Sequence, residues 1–400
     1  MPFYSKLLPI VLLATIVTVA CASSAPSSPA APSSPAAPSQ AAASTAPAKS
    51  TAPVSQPTEV PAWQAEWDKV LAAAKKEGKV MVGGAYAAGY RDAAEEFKKA
   101  YPDIALEYTG MAGRDAGPKV LGERRAGMYL WDVYIGGSTT MLQSLMPEGV
   151  FEPLKPNLLL PEVLDDSKWR QGFDYGFQDS GNKFAYAFLG YLSYAVLVNR
   201  DVPGASEIKT LDDLLAPKWK GMIVWEDPRV GGSGQKTGAN LYAQKGADWY
   251  RKLLSNDIVA LKDTRMMMDR LARGQAVAAI GRVEEYLRDY KEQGLLKNTQ
   301  FIDDGTPAVA HVTGGSGNLG AVDRPPNPNA QMVFLNWLLS KQGQEAYVKL
   351  TGIHSRRLDV PAGADPQSLP KSGLKYLDLG KEENLSKLEE ATAIAKDVIQ

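Results

Sequence analysis

The chain has 400 residues and carries 44 Lys and Arg against 45 Asp and Glu, a formal net charge of −1. Without a basic block it offers no electrostatic footing for nucleic acid or for polyanionic membrane patches. One cysteine in the whole chain excludes an internal disulfide and a cysteine-built metal site.

Residues 1–20 place one lysine, Lys6, ahead of an apolar stretch at 7–20. That stretch is too short to span a bilayer comfortably and has the layout of an export signal, expected to be absent from the mature protein. Cys21 follows Thr18-Val19-Ala20, and this junction resembles the lipobox of bacterial lipoproteins, with Thr18 where leucine is usual. The resemblance implies that Cys21 becomes the lipidated first residue; the plainer reading is a spare cysteine in an ordinary cleaved signal. Residues 21–61 are dominated by Ala, Ser, Pro and Thr, without apolar periodicity, so they cannot bury a core and are expected to stay extended. At about 3.1 Å per residue such a tether reaches on the order of 100 Å.

The remaining body of about 340 residues exceeds one ordinary core and suffices for two. Trp63, Trp67, Val70, Leu71 and Ala74 fall at helical spacing, and Gly78 stands where that helix should stop. Strands and helices then alternate. Val80-Met81-Val82 leads through Gly83-Gly84-Ala85-Tyr86 to a helix over 90–100. A strand over 104–108 leads through Gly110-Met111-Ala112-Gly113-Arg114 to another helix, and Asp132-Val133-Tyr134-Ile135 leads through Gly136-Gly137-Ser138-Thr139-Thr140 to the next. In open parallel sheets the carboxyl ends of the strands line the ligand crevice, so three such exits mark a binding edge; glycine is also common in αβ loops that bind nothing. Residues 184–198 form a long apolar and aromatic run without alternation, read as extended chain buried on both faces and crossing between lobes.

Residues 218–242 read as strand, glycine-rich turn and helix: Met222-Ile223-Val224-Trp225, then Glu226-Asp227-Pro228-Arg229-Val230-Gly231-Gly232-Ser233-Gly234, then a helix from Gln235. Such a turn suits an anion, with helix N–H groups, the Ser233 hydroxyl and the Arg229 guanidinium on one loop, though it also serves as a plain strand-to-helix connection. A Walker loop is excluded because Gln235 precedes Lys236, and a nucleophile elbow because Gln235 is not glycine. Gly315-Ser316-Gly317-Asn318-Leu319-Gly320 matches the dinucleotide fingerprint by letter, but Pro325-Pro326 prevents an immediate helix, and a return crossing to the first lobe is the better account. His311 and His354 lack metal-like spacing.

Val198-Asn199-Arg200-Asp201, the block over 211–221, Asp227-Pro228, Gly274-Gln275-Ala276-Val277-Ala278 and the run from Phe334 to Gln344 together resemble the substrate-binding proteins of bacterial ABC importers. The likeness is to the type 2 periplasmic-binding group, which includes ferric-ion, thiamine and phosphonate binders. It covers nearly the whole mature body in order. The resemblance implies two doubly wound α/β lobes joined by crossing strands, with a ligand cleft between them: residues 62–182 plus 309–352 as the first lobe, 183–308 plus 353–400 as the second. It also implies ligand contacts from Tyr86, Arg114, Ser138, Thr139, Tyr191, Arg229, Ser233 and Gly234, with a further loop after the strand over 277–280.

Iron-binding members place adjacent tyrosines near that last loop, where this chain reads Gly281-Arg282-Val283-Glu284-Glu285-Tyr286. With Arg114, Arg229 and Arg282 on loop edges, the expected cargo is a small organic solute bearing carboxylate, phosphate or phosphonate, since arginine offers a two-pronged donor to such groups. No cofactor, resident metal or catalysis is expected, because no motif places an acid–base or nucleophilic constellation. The expected setting is extracytoplasmic: a lipid-anchored monomer that hands its solute to an ABC permease and ATPase. Three alternatives stay open at this point, a ferric-ion carrier using a synergistic anion, a tethered sensor passing its closed form to a signalling partner, and an exported enzyme.

Overall fold

A computed structural model describes residues 61–86, 89–281 and 283–399, and within them not the side chains of Arg114 and Glu285. The signal at 1–20, Cys21 and the linker up to residue 60 lie outside the described residues, as does Arg282.

The strands are β1 (Lys79–Ala85), β2 (Ala105–Met111), β3 (Val133–Gly136), β4 (Phe151–Glu152), β5 (Tyr186–Ala187), β6 (Tyr191–Tyr194), β7 (Val196–Asn199), β8 (Ile223–Glu226), β9 (Val259–Leu261), β10 (Ala278–Ile280), β11 (Thr299–Phe301), β12 (Ala310–Thr313) and β13 (Asn318–Val322). They build two main sheets. The first runs β2-β1-β3-β13-β4 with β5 also on β13; the second runs β11-β7-β10-β8-β9. In the first, β1 pairs parallel with β2 and β3, and β13 runs antiparallel to β3; in the second, β8 pairs parallel with β9 and β10, and β7 runs antiparallel to β10. Between them β6 and β12 form a two-stranded antiparallel ribbon.

Each sheet has its own apolar core. Under the first, Phe97 meets Phe334 and Trp337 edge-on at 5.2 and 5.4 Å. Under the second, Trp225 meets Tyr250 at 6.0 Å. The opening helix, Ala62–Glu77, buries Trp67, Val70 and Ala74 and ends at Gly78, whose φ of 75° is the left-handed cap the sequence suggested. Trp63, expected on that face, is exposed. The buried run over 184–198 starts on the first sheet as β5, crosses as β6 and enters the second sheet as β7. The expected lobe boundary at 182/183 thus falls ahead of β5, whose Tyr186 stacks on Phe173 at 4.6 Å beside the first sheet. Residues 355–357 likewise bridge to Leu189 and Trp169, while the final helix, Leu385–Val398, packs on the helix Ser233–Lys245.

Two glycine exits differ from expectation. Gly83 and Gly84 belong to β1 and Gly110 to β2, not to loops. Space is the reason: a Cβ on Gly84 would collide with the Tyr108 ring, whose hydroxyl donates to Ala85 O at 2.7 Å. A Cβ on Gly83 would come within 2.7 Å of Met111 Cε.

Asp132, at the foot of β3, ties the first sheet to the chain returning after β13. Its carboxylate accepts from Met81 N–H at 2.6 Å and from Asn327 N–H and Nδ2 at 2.8 and 3.0 Å. Burial pushes this carboxyl up to about 6 against the pull of those donors. An acid raised by folding contributes stability that is full below its ordinary range and is lost as pH rises through the folded value. The Asp132 side-chain carbon resonance should therefore titrate near pH 6; a midpoint near the ordinary carboxylate value would contradict this account.

Candidate functional site

The carboxyl ends of the parallel strands in both sheets converge on one seam. From the first sheet, β3 ends at Gly136 and leads at once to the single turn Ser138–Thr140. From the second, β8 ends at Glu226, and the turn over 227–232 feeds the helix Ser233–Lys245. Lys236, in the first turns of that helix and only 7% exposed, donates from Nζ to the Ser138 hydroxyl oxygen at 2.9 Å. Ser138 is 1% exposed. A Cβ on Gly231 would stand 3.9 Å from the Thr139 methyl, so the two edges touch along the turn as well as through the ammonium.

The turn holds its shape through close backbone approach. Trp225 Nε1 donates to Gly234 O at 3.2 Å, and any Cβ on Gly234 would collide with Glu226 O. The Glu226 side chain lies between Gly232 and Gly281; a Cβ on Gly281, where φ is 129°, would reach within 2.7 Å of Glu226 Cβ. Past β10, Glu284 opens the next helix and accepts from Ser193 Oγ at 3.0 Å and Tyr194 N–H at 2.8 Å, fastening the second sheet to the crossing strand β6.

The crossing ribbon floors the seam. Tyr191 is paired with Thr313 and Ser193 with His311, so these four share one face. His311 is fully enclosed; burial, joined by the charge of Lys236, lowers its ring to about 3, and the imidazole is neutral at ordinary pH. Asn318, at the start of β13, donates from Nδ2 to Gly136 O at 2.9 Å and Gly315 O at 3.0 Å. Asp378 joins the ribbon through the Val312 bridge and keeps some accessible surface deep in the molecule; burial raises its carboxyl, opposed chiefly by the charge of Lys381. Among the described residues no group of three or more His, Cys, Asp or Glu is assembled to hold a metal ion.

A family model described as bacterial extracellular solute-binding protein matches residues 92–373. The chain belongs to that family. Solved structures of the same fold include iron-bound HitA from Pseudomonas aeruginosa, at 18% identity over 80% of this chain and 99% of that one, with a TM-score of 0.63. AfuA from Actinobacillus pleuropneumoniae with fructose-6-phosphate bound follows at 20% over 79% and 98%, TM-score 0.58, and a Trichodesmium FutA with iron and citrate at 15% over 80% and 99%, TM-score 0.59. These likenesses establish the periplasmic-binding-protein fold. No curated protein matches the chain.

In this solute-binding protein the residues singled out from sequence are placed unequally. Ser138, Thr139, Ser233, Gly234 and Tyr191 lie on the seam or its floor. Tyr86 follows β1 and is 60% exposed, its Cβ set against Gly110. Arg114 is the second residue of the helix Gly113–Arg125. Arg229 turns both prongs onto its own loop: Nε and Nη2 donate to the Asp227 oxygens at 2.9 and 3.0 Å, and Nη1 to Ile399 O at 3.3 Å. Among the described residues the seam holds a buried cation in Lys236, which sequence reasoning used only to reject a Walker loop. A signal was present, since a lysine in the opening turns of a helix opposes the macrodipole and calls for a compensating group nearby.

Burial raises the Asp227 carboxyl, but the Arg229 hydrogen bonds and charge outweigh it and hold it below the ordinary carboxylate range. Removing the guanidinium leaves that carboxylate, whose side chain is almost fully covered, with the residue 229 N–H at 3.0 Å on one oxygen and without its two charged donors. Arg229→Ala should therefore lower unfolding free energy by about 1–3 kcal/mol at neutral pH, the cost of an unsatisfied buried group. Because a depressed carboxylate stabilises above its unfolded value and less as pH falls, the deficit should shrink in acid; urea titrations of both forms at two pH values check it.

Proposed function

We propose that this solute-binding protein is the extracytoplasmic capture component of an ABC importer whose cargo is a small organic anion, held between the two lobes and handed to a permease. The membership supports solute capture for import, and the location outside the cytoplasm goes with it. The observation that carries the anionic reading is the Lys236 ammonium, buried where the two sheets meet and bonded across the seam to Ser138. A buried cation beside the N-terminus of a 13-residue helix makes the seam favourable for negative charge and unfavourable for positive charge. A carboxylate or phosphate entering there gains the ammonium, the Ser138, Thr139 and Ser233 hydroxyls and the backbone of the Gly231 to Gly234 turn. A ferric ion would meet the same ammonium at close range, where poor screening makes the repulsion costly, so the carrier of iron is the weaker reading. The lobes on this proposal are the two sheets with their helices, hinged at the β6–β12 ribbon and the strand of chain at 377–378.

Closure follows from differential affinity. A solute touching both lobes stabilises the closed arrangement by the contacts that only closure makes. We further propose that Cys21 carries a lipid and that the Ala/Ser/Pro-rich tether lets a monomeric body range over the membrane surface. Among the described residues no helix is long and apolar enough to cross a membrane.

A thermal-shift screen of the mature body against carboxylates, phosphates and phosphonates should yield an anion that also lowers the radius of gyration in solution scattering. Lys236→Met, which keeps the length and removes the charge, should weaken that anion by about tenfold or more, the loss of a charge-assisted bond of about 1.5–3 kcal/mol. Stabilisation without compaction, or undiminished affinity in Lys236→Met, would count against the reading. Separately, Cys21→Ala should move the protein from the membrane fraction to the soluble extracytoplasmic fraction, and unchanged membrane association would remove the lipid anchor.

A further inference from the structure

Two buried polar atoms near the seam have no hydrogen-bond partner: His311 Nδ1, on the ribbon that floors it, and Asn318 Oδ1, which lies beside Gly314; both residues are 1% exposed. They sit on one chain of contacts. Asn318 pairs with Gly136, two residues before Ser138; Ser138 takes the Lys236 bond; and the helix that carries Lys236 packs on β12, the strand of His311. The orientation of the Asn318 amide follows from its Nδ2 donating to two carbonyls, which leaves Oδ1 as an acceptor only. An unsatisfied buried group of this kind is costly, and a pair of them beside a candidate ligand site points to a partner supplied by the ligand.

We propose that the solute held beside Lys236 bears hydroxyl groups as well as its anionic group, a polyhydroxylated carboxylate or phosphate, and that His311 Nδ1 and Asn318 Oδ1 read those hydroxyls. The inference rests on the anionic reading of the same cleft. A hydroxyl both donates and accepts, so it satisfies Asn318 Oδ1 by donating and His311 Nδ1 in either neutral tautomer. An ammonium could donate as well, but it would face Lys236 and pay for like charges in a poorly screened site. A bare carboxylate fills the cation end of the seam and leaves the floor unpaired. Glu284 complements this arrangement by occupying Ser193, the residue opposite His311, so that the hydroxyl of Ser193 is turned to the second lobe.

The test compares matched pairs by calorimetry on the intact mature body: glycerol 3-phosphate with propyl phosphate, gluconate with hexanoate, and glucose 6-phosphate with cyclohexylmethyl phosphate. In at least one pair the hydroxylated member should bind about tenfold or more tightly than its deoxy partner, the scale of one buried hydrogen bond whose loss leaves a protein group unpaired. His311→Phe should lower that ratio by about threefold or more, with Asn318 Oδ1 still reading its own hydroxyl. Equal affinities within every pair that binds would overturn the hydroxyl reading alone. A ratio that survives His311→Phe would overturn the role of His311. Binding of no member of any pair would overturn the anionic reading beneath it, which distinguishes the two failures. The wild-type ratios need no variant and decide the matter even if His311→Phe does not fold.

Discussion

The arrangement of the seam depends on one buried ammonium. Lys236 is enclosed at the place where the two sheets present their carboxyl edges, and its hydrogen bond goes to a hydroxyl on the opposite sheet. Water would solvate such a charge far better than a protein interior does, so the protein must supply dipoles and opposing charge. Ser138 supplies one dipole, and the Asp378 carboxyl, which burial raises against the pull of Lys381 and Lys236, stands in the field of the ammonium. Since the Ser138 hydroxyl belongs to the opposite sheet, that part of the stabilisation of Lys236 depends on how close the two edges stand. That links where charge sits to whether the cleft is shut, which is the coupling a capture protein needs.

Glycine makes the approach possible. The helix carrying Lys236 starts directly over the end of β8, with Gly234 against Glu226 O and Gly281 against the Glu226 side chain. Any larger residue at either place would lift the helix start from the sheet and carry the ammonium away from Ser138. The Asp227–Arg229 pair braces the same turn from outside, so that a guanidinium suited to anions serves as a strut for the loop that positions the lysine.

Much of the architecture was readable from residue order. The strand, glycine turn and helix over 218–242 are present with β8 and the helix Ser233–Lys245, and the unalternating run over 184–198 is the crossing chain. Its composition reveals burial on both faces but not where it leaves one sheet for the other, because β5, β6 and β7 are all buried and their partners come from residues about 80 or more positions away. Glycines 83, 84 and 110 misled for a related reason: a glycine needed for a neighbour's bulk looks the same in sequence as one needed for a turn. The site was legible only in part. Ser138, Ser233 and Gly234 could be found because loop chemistry is local, whereas the fate of Arg229 depended on whether Asp227, two residues away, would claim it. Lys236 and His311 are defined by what lies across the cleft, and no local pattern records that.

The crossing ribbon explains how two well-packed cores can share one small hinge. β6 and β12 pair over four residues each, and Val312 N–H donates to Leu377 O at 2.8 Å, adding a third segment of chain to the ribbon. A ribbon that short resists bending weakly compared with the sheets on either side, whose strands are locked by their own cores. Glu284 ties its carboxylate to Ser193 and Tyr194 within β6, so the start of the helix that packs on the second sheet through Val283 and Leu287 is fastened to the ribbon as well. On the proposed function, rotation at the ribbon would move that helix start, the His311 floor and the Lys236 edge by different amounts. A small solute bridging them would then select one rotation, so that a binding event confined to a few polar groups would set the posture of the whole body.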